Sequence, residues 1–198
     1  MLPAGGATLE IMTTDEQLLE EFQRGSREAF AELFRRYRDK MYGFFRRRTA
    51  NPARAEELAQ ETFLAALKAA PRFEPRALVR TWLFGIAMNL LMADRRKSRA
   101  DVAQPIVAGP FEADTSPAPG GDPAAALWVR EALMQLDDER REILLLREYE
   151  QLSYAEIAAL LSLPVNTVRS RLFRARMALK DLLVPQSRSL GTRDRAVM

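Results

Sequence analysis

The chain has 198 residues, a formal net charge of +3, 47% hydrophobic and 29% charged residues, the balance of a globular protein with room for one domain or two small ones. It has no cysteine and no histidine, which excludes disulfides, thiolate zinc sites and thiol or imidazole catalysis. No carboxylate pair stands apart from the amphipathic background, and no run of 18 apolar residues offers a membrane span, so no catalytic residue, metal, cofactor or membrane insertion is expected.

Residues 1–14, "MLPAGGATLEIMTT", are small, aperiodic and without a basic leader, and are expected to be a disordered N-terminus of a cytoplasmic protein. Helical periodicity starts at Asp15. Ser26 is a candidate N-cap for a long helix with Phe30, Leu33, Phe34, Tyr37, Met41 and Phe44 at three- and four-residue spacing. In "NPARAEELAQETFLAAL" Asn51 is placed to cap and Pro52 to occupy the first helical position. Glu57, Gln60 and Glu61 fall on one face of this helix, while Leu58, Phe63 and Leu67 can serve the core. Pro71 and Pro75 punctuate a loop, and a further helix is predicted from about Ala77 to Arg99. It carries Trp82, Leu83, Ile86, Asn89 and Leu90, then the basic residues Arg95, Arg96, Lys97 and Arg99, which suit phosphates. The Arg46–Arg48 run offers either phosphate contacts or a solvated face.

Composition then shifts to Pro, Gly and Ala, with acids but no Lys or Arg between Ala100 and Val129. Residues 100–124 read as a flexible acidic linker. Helical periodicity resumes at about Ala125 and ends near Leu183, before a polar tail at 185–198. Ser153 and Glu156 form a capping box ahead of Ile157, Leu160 and Leu161. Ser162 to Pro164 make a tight turn, and a second helix starts near Val165. Its Val168, Leu172, Ala175 and Leu179 pack inward, which turns Arg169, Ser170, Phe173, Arg174 and Arg176 partly outward with Arg171 at the flank. A basic helix alone is most simply a solvated face. The capped helix and tight turn in front of it favour a helix-turn-helix whose second helix reads DNA.

"SYAEIAALLSLPVNTVRSRLFRARMALKDLL", with the preceding "ALMQLDDERREILLLREYEQL", resembles region 4 of the extracytoplasmic-function (ECF) group of bacterial sigma-70-type sigma factors. "ARAEELAQETFLAAL" resembles their region 2.2, and "RTWLFGIAMNLLMADRRKSR" their regions 2.3 and 2.4. The resemblance implies an all-α protein of two helical domains, a region 2 bundle at 15–99 and a region 4 helix-turn-helix at 125–184, joined by the flexible acidic linker. It implies a non-enzymatic factor that binds core RNA polymerase, recognises the −35 and −10 promoter elements and promotes DNA melting. By position, Glu57, Gln60 and Glu61 match the surface that meets the beta-prime clamp helices. Asn89 matches the base-contacting Asn of the −10 element and Trp82 an aromatic at the edge of melted DNA, with Arg95, Arg96 and Lys97 on phosphates. Arg169, Ser170, Arg171, Phe173 and Arg174 match the residues that meet the −35 element, with Asn166 and Thr167 ahead of them. The beta flap and an anti-sigma factor are further implied partners, and a monomer is expected.

Three positions depart from the family pattern: Ser162 and Asn166 stand where Gly is common, and Asp137 where Pro is common. Asn166 is expected either to take a left-handed conformation or to cap the reader helix. The competing readings are a stand-alone helix-turn-helix regulator binding a palindrome as a dimer, a protein that sequesters a partner, and a nucleic-acid enzyme. The first needs a sensor in the N-terminal half, where no ligand-pocket signature is present.

Overall fold

Local capping chemistry sets where the helices begin. Thr14 and Gln17 form a capping box, each side chain bonded to the other's backbone N–H at 2.8 and 3.2 Å, and open α1 (Asp15–Gln23). Thr14 is thus a structural residue of the bundle rather than part of the disordered leader expected from sequence. Ser26 Oγ accepts from Ala29 N at 3.3 Å at the start of α2 (Arg27–Arg46). Pro52 is the first residue of α3 (Pro52–Ala69), the position where a missing N–H is harmless. A 3-10 turn at Ala70–Arg72 follows, and α4 runs from Val79 to Asp101.

The computed structural model describes residues 13–49, 51–101 and 123–184; most of the leader, the linker and the tail lie outside these. Among the described residues all regular structure is helical. They divide into two compact units, α1 to α4 in the first, and α5 (Pro123–Gln135), α6 (Asp138–Leu144), α7 (Tyr154–Leu161) and α8 (Val165–Leu183) with the 46–52 segment in the second.

The first unit is built on the apolar stripe of α2. Leu33, Tyr37, Met41, Phe44 and Phe45 are buried, as are Leu58 and Phe63 of α3 and Leu83, Phe84 and Leu91 of α4. The Phe44 ring sits 5.1 Å from Phe45 and 5.6 Å from Phe84. Each buried ring contributes about 1.5–3 kcal/mol of apolar burial. Leu67 is 41% exposed, contrary to its expected core role, because Ala66 occupies the inward edge of the α3 stripe. Phe34 is also outside the core, edge-on to Phe63 at 4.8 Å.

α1 ties the unit together through polar groups. Arg36 Nη1 bonds Asp15 at 2.9 Å, and the Tyr37 hydroxyl donates to the same carboxylate. Burial, reinforced by Asp15, pushes the Tyr37 pKa up, so the hydroxyl stays a donor. Gln23 Nε2 donates to the carbonyls of Ala70 and Phe73, both at 2.9 Å, and Glu16 Oε1 accepts from Val79 N at 3.1 Å.

In the second unit Asp137 caps α6 by accepting from Arg140 N at 2.8 Å. A π turn at Leu145–Tyr149 continues α6, and the expected Ser153–Glu156 capping box opens α7. Ser162 ends α7 in the left-handed conformation, φ 53° and ψ 45°, where Gly is the easier residue. Ile143, Leu145, Leu146, Leu152, Ile157, Val168, Leu172 and Ala175 are buried together. Within this unit Arg47 pairs with Glu150 at 3.0 Å, and Arg48 pairs with Glu142 at 2.9 Å and Glu150 at 3.0 Å. These arginines are neither a solvated face nor open to phosphate, because three carboxylate contacts already engage them.

Candidate functional site

On α3 the inward stripe of Ala55, Leu58, Ala59, Thr62, Phe63 and Ala66 turns Glu57 and Gln60 to solvent and leaves Glu61 half-buried. The two acids are not bare. Arg54 Nη1 donates to Glu57 at 2.8 Å and Glu61 at 3.1 Å, while its Nε donates to Asp94 of α4 at 2.8 Å. The Glu57 hydrogen bond, followed by Asp94 and the surrounding negative charge, raises the Arg54 pKa against partial burial. One guanidinium shared by three carboxylates leaves the cluster net negative, so this face suits a basic partner. Beside Gln60 lies a groove of about 370 Å³ lined by Phe34, Arg38, Tyr42, Glu56, Gln60 and Phe63. The core-like spacing of Phe34 assigns it to the interior, so sequence periodicity does not reveal the groove.

α4 separates a buried face from a working face. Val79, Leu83, Phe84, Ala87, Met88 and Leu91 are buried. Asn89, Arg96 and Lys97 are exposed, and Trp82 and Arg95 are half-buried. Trp82, Asn89 and Arg96 recur at seven-residue spacing, so they share one helix face with a drift of only about 20° per step. Along the axis they span about 21 Å. Trp82 packs on Phe73, ring centroids 5.0 Å apart. Residues that the sequence marks singly become, on the helix, one line of aromatic, amide and cation.

α8 presents the third surface. Its N-cap is Pro164, which makes no side-chain cap bond, and Asn166 sits exposed at the second helical position. Asn166 therefore neither caps the helix nor takes the left-handed conformation; among the described non-glycine residues only Gln151 and Ser162 have positive φ. Thr167 and Ser170 are half-buried, and the Ser170 hydroxyl donates to the Thr167 carbonyl at 3.0 Å. Arg169, Phe173 and Arg174 are exposed, Phe173 by 65%.

The arginines of α8 split into two kinds. Arg169 and Arg174 make no ion pair among the described residues. Arg171 is paired with Glu139 of α6, and Arg176 with Glu148 of the π turn at 2.7 Å. The hydrogen bonds that Arg176 donates to Glu148 raise its pKa. Sequence reasoning also misses Arg147, which donates to the Leu152 carbonyl at 2.8 Å and lies 5.3 Å from the Tyr154 ring centroid. It braces the segment that enters the helix-turn-helix. Among the described residues no group of three or more acids could hold a metal ion, and no helix is long and apolar enough to cross a membrane.

Comparison with known proteins bears on the whole arrangement. Residues 33–100 match the family model "Sigma-70 region 2", and residues 126–179 match "Sigma-70, region 4". The RNA polymerase sigma-H factor of Pseudomonas aeruginosa is 37% identical over 183 residues, covering 86% of this chain and 94% of that protein. The ECF RNA polymerase sigma-E factor of Escherichia coli K12 is 34% identical over 184 residues, covering 87% and 95%. The sigma factor RpoE solved with the anti-sigma factor NepR from Bartonella quintana superposes with a TM-score of 0.63 at 25% identity, over 78% of this chain and 96% of that one.

Proposed function

The chain belongs to the ECF group of sigma-70-type RNA polymerase sigma factors, and from that premise we propose how its surfaces divide the work of promoter recognition. It is an RNA polymerase sigma factor, and it acts by binding core polymerase and promoter DNA rather than by catalysis. The anionic α3 face with Glu57, Gln60 and Glu61 docks the beta-prime clamp helices, and the groove beside Gln60 extends that contact. Trp82, Asn89 and Arg96, with Arg95 and Lys97, act at the −10 element. The indole stacks at the edge of the opened duplex, the amide holds an extruded base, and the cations hold the strand's phosphates. Extruding a base from duplex DNA costs a few kcal/mol, which stacking and amide hydrogen bonds offset with no catalytic group.

The helix-turn-helix meets the −35 element through α8. Arg169, Phe173 and Arg174 reach base edges and phosphates; Asn166, Thr167 and Ser170 line the approach, and Arg171 reaches a phosphate once released from Glu139. The second unit also offers the region 4 surface for the beta flap. An anti-sigma factor is a further partner, in keeping with the NepR complex of the Bartonella relative. The protein works in the cytoplasm as a monomer.

The observation that carries this division is the single face of Trp82, Asn89 and Arg96 on α4, in the same chain as a helix-turn-helix with exposed arginines. In vitro transcription tests it. Core polymerase with this protein initiates at promoters carrying matched −35 and −10 elements, and core alone does not. Promoter-duplex binding that is equally strong without core, and no transcript with it, would instead establish the stand-alone regulator.

A further inference from the structure

Glu16 and Gln23 are seven residues apart on α1 and so lie on one face of it. That face holds the two ends of a single segment. Gln23 bonds the Ala70 and Phe73 carbonyls where the 3-10 turn runs out, and Phe73 itself is extended, with φ −65° and ψ 128°. At the other end Glu16 satisfies the N–H of Val79, the first residue of α4, which has no partner within its own helix. Residues 74–78 between these anchors are all exposed, Leu78 by 52%. They lack a buried side chain that could fix the segment, so the two α1 bonds at its ends are a main restraint on its course.

The consequence reaches the DNA-facing side of α4. Phe73 is the residue whose carbonyl Gln23 holds, and its ring is the one packed on Trp82. A half-buried indole with one neighbour ring can adopt more than one tilt unless that neighbour is itself fixed. We propose that Gln23 is a positioning residue that fixes Phe73, and through it the tilt at which the Trp82 platform meets the edge of opened promoter DNA. The inference rests on the reading of α4 as the promoter-opening helix. Gln23 touches no DNA; it acts through the Phe73 carbonyl. Phe73 sets the tilt of the indole, and base–aromatic stacking tolerates any base.

The chain has two tryptophans, so Trp128→Phe leaves Trp82 as the sole indole reporter. In that background the full chain is made as Gln23→Ala, Phe73→Leu, Phe73→Tyr and Asn89→Ala. Each is measured for Trp82 emission, core-polymerase binding and opening of a promoter with 2-aminopurine at the upstream bubble edge, on duplex and on premelted template. Gln23→Ala and Phe73→Leu should shift Trp82 emission and reduce duplex opening about fivefold, the low end of what one base–aromatic stacking contact is worth. Core binding stays near that of the parent, thermal melting falls by only a few degrees, the premelted template restores activity, and Phe73→Tyr behaves as parent. Parent-like opening by Gln23→Ala and Phe73→Leu, or equal losses on duplex and premelted templates, overturns the proposal. If Asn89→Ala impairs opening in that event, only the positioning role is refuted. If Asn89→Ala also opens normally, the assignment of α4 falls with it.

Discussion

Replacing Glu139 with Gln removes the carboxylate that holds Arg171 but keeps the side chain's size. The pair is open to water, with side chains 37% and 61% exposed, so its loss costs the fold about 0.2–1 kcal/mol. That lowers the Tm of the second unit by no more than about 4–8 °C. The effect on DNA is larger in kind. A guanidinium no longer engaged within the protein can neutralise one more phosphate, which steepens the log–log salt dependence of binding by about 0.9. Between 50 and 200 mM salt one added contact corresponds to about a 3.5-fold greater change in affinity. Holoenzyme binding to a −35/−10 duplex, followed by fluorescence anisotropy over that range, reads the slope directly. Glu139→Gln should bind more tightly at low salt and lie on the steeper line, without altered ranking of −35 variants. In an Arg171→Gln background the same substitution should have no effect on the slope. Parallel lines for parent and Glu139→Gln, or a steeper line that survives loss of Arg171, would refute the argument that Glu139 withholds this cation from DNA.

Ala at Glu57, Gln60 and Glu61 together should slow association with core polymerase about tenfold or more while circular dichroism stays unchanged; undiminished binding removes the docking assignment. Asn89→Ala should reduce open-complex formation about five- to tenfold with partial rescue on a premelted template, and an unaltered permanganate footprint would contradict it. Arg174→Ala should lose about 1–3 kcal/mol of discrimination at one −35 position, read across a promoter library, and a retained ranking places the residue on a phosphate or off the DNA. Asp137→Ala should lower stability by about 1 kcal/mol through loss of the α6 cap, visible as a lower Tm.

The helical plan is legible in the sequence because period and capping are local. The Ser153–Glu156 box, the tight turn at Ser162 and the buried Val168, Leu172 and Ala175 follow from spacing alone, and the structure has all of them. The candidate surfaces are legible only as residue types. Arg54 engaging Glu57, Glu61 and Asp94, or Glu139 and Glu148 holding Arg171 and Arg176, join residues brought close by tertiary packing or by a shared helix face with competing partners. An isolated "R" in a basic helix reads the same whether it is free or tied. Arg48 shows the same limit, since its burial among carboxylates depends on partners about a hundred residues away, Glu142 and Glu150. Periodicity misplaces Phe34 and Leu67 for a narrower reason: both have core-like spacing, but each lies at the margin of a stripe whose centre is filled by smaller neighbours or by Phe63.

The left-handed Ser162 has a bearing on how readily this chain can change. A non-glycine residue there carries about 1 kcal/mol of backbone strain that Ser162→Gly would relieve. The bend it makes is held by the Leu163 N–H on the Ala158 carbonyl at 2.9 Å, a contact that does not depend on the serine side chain. A single substitution at this turn can therefore offset part of the destabilisation that new side chains on α8 would bring. On the proposed reading of α8 as the −35 helix, substitutions at Phe173 or Arg174 that shift promoter preference would be better tolerated in a Ser162→Gly background, which would make this turn a permissive position for new regulons on the same scaffold.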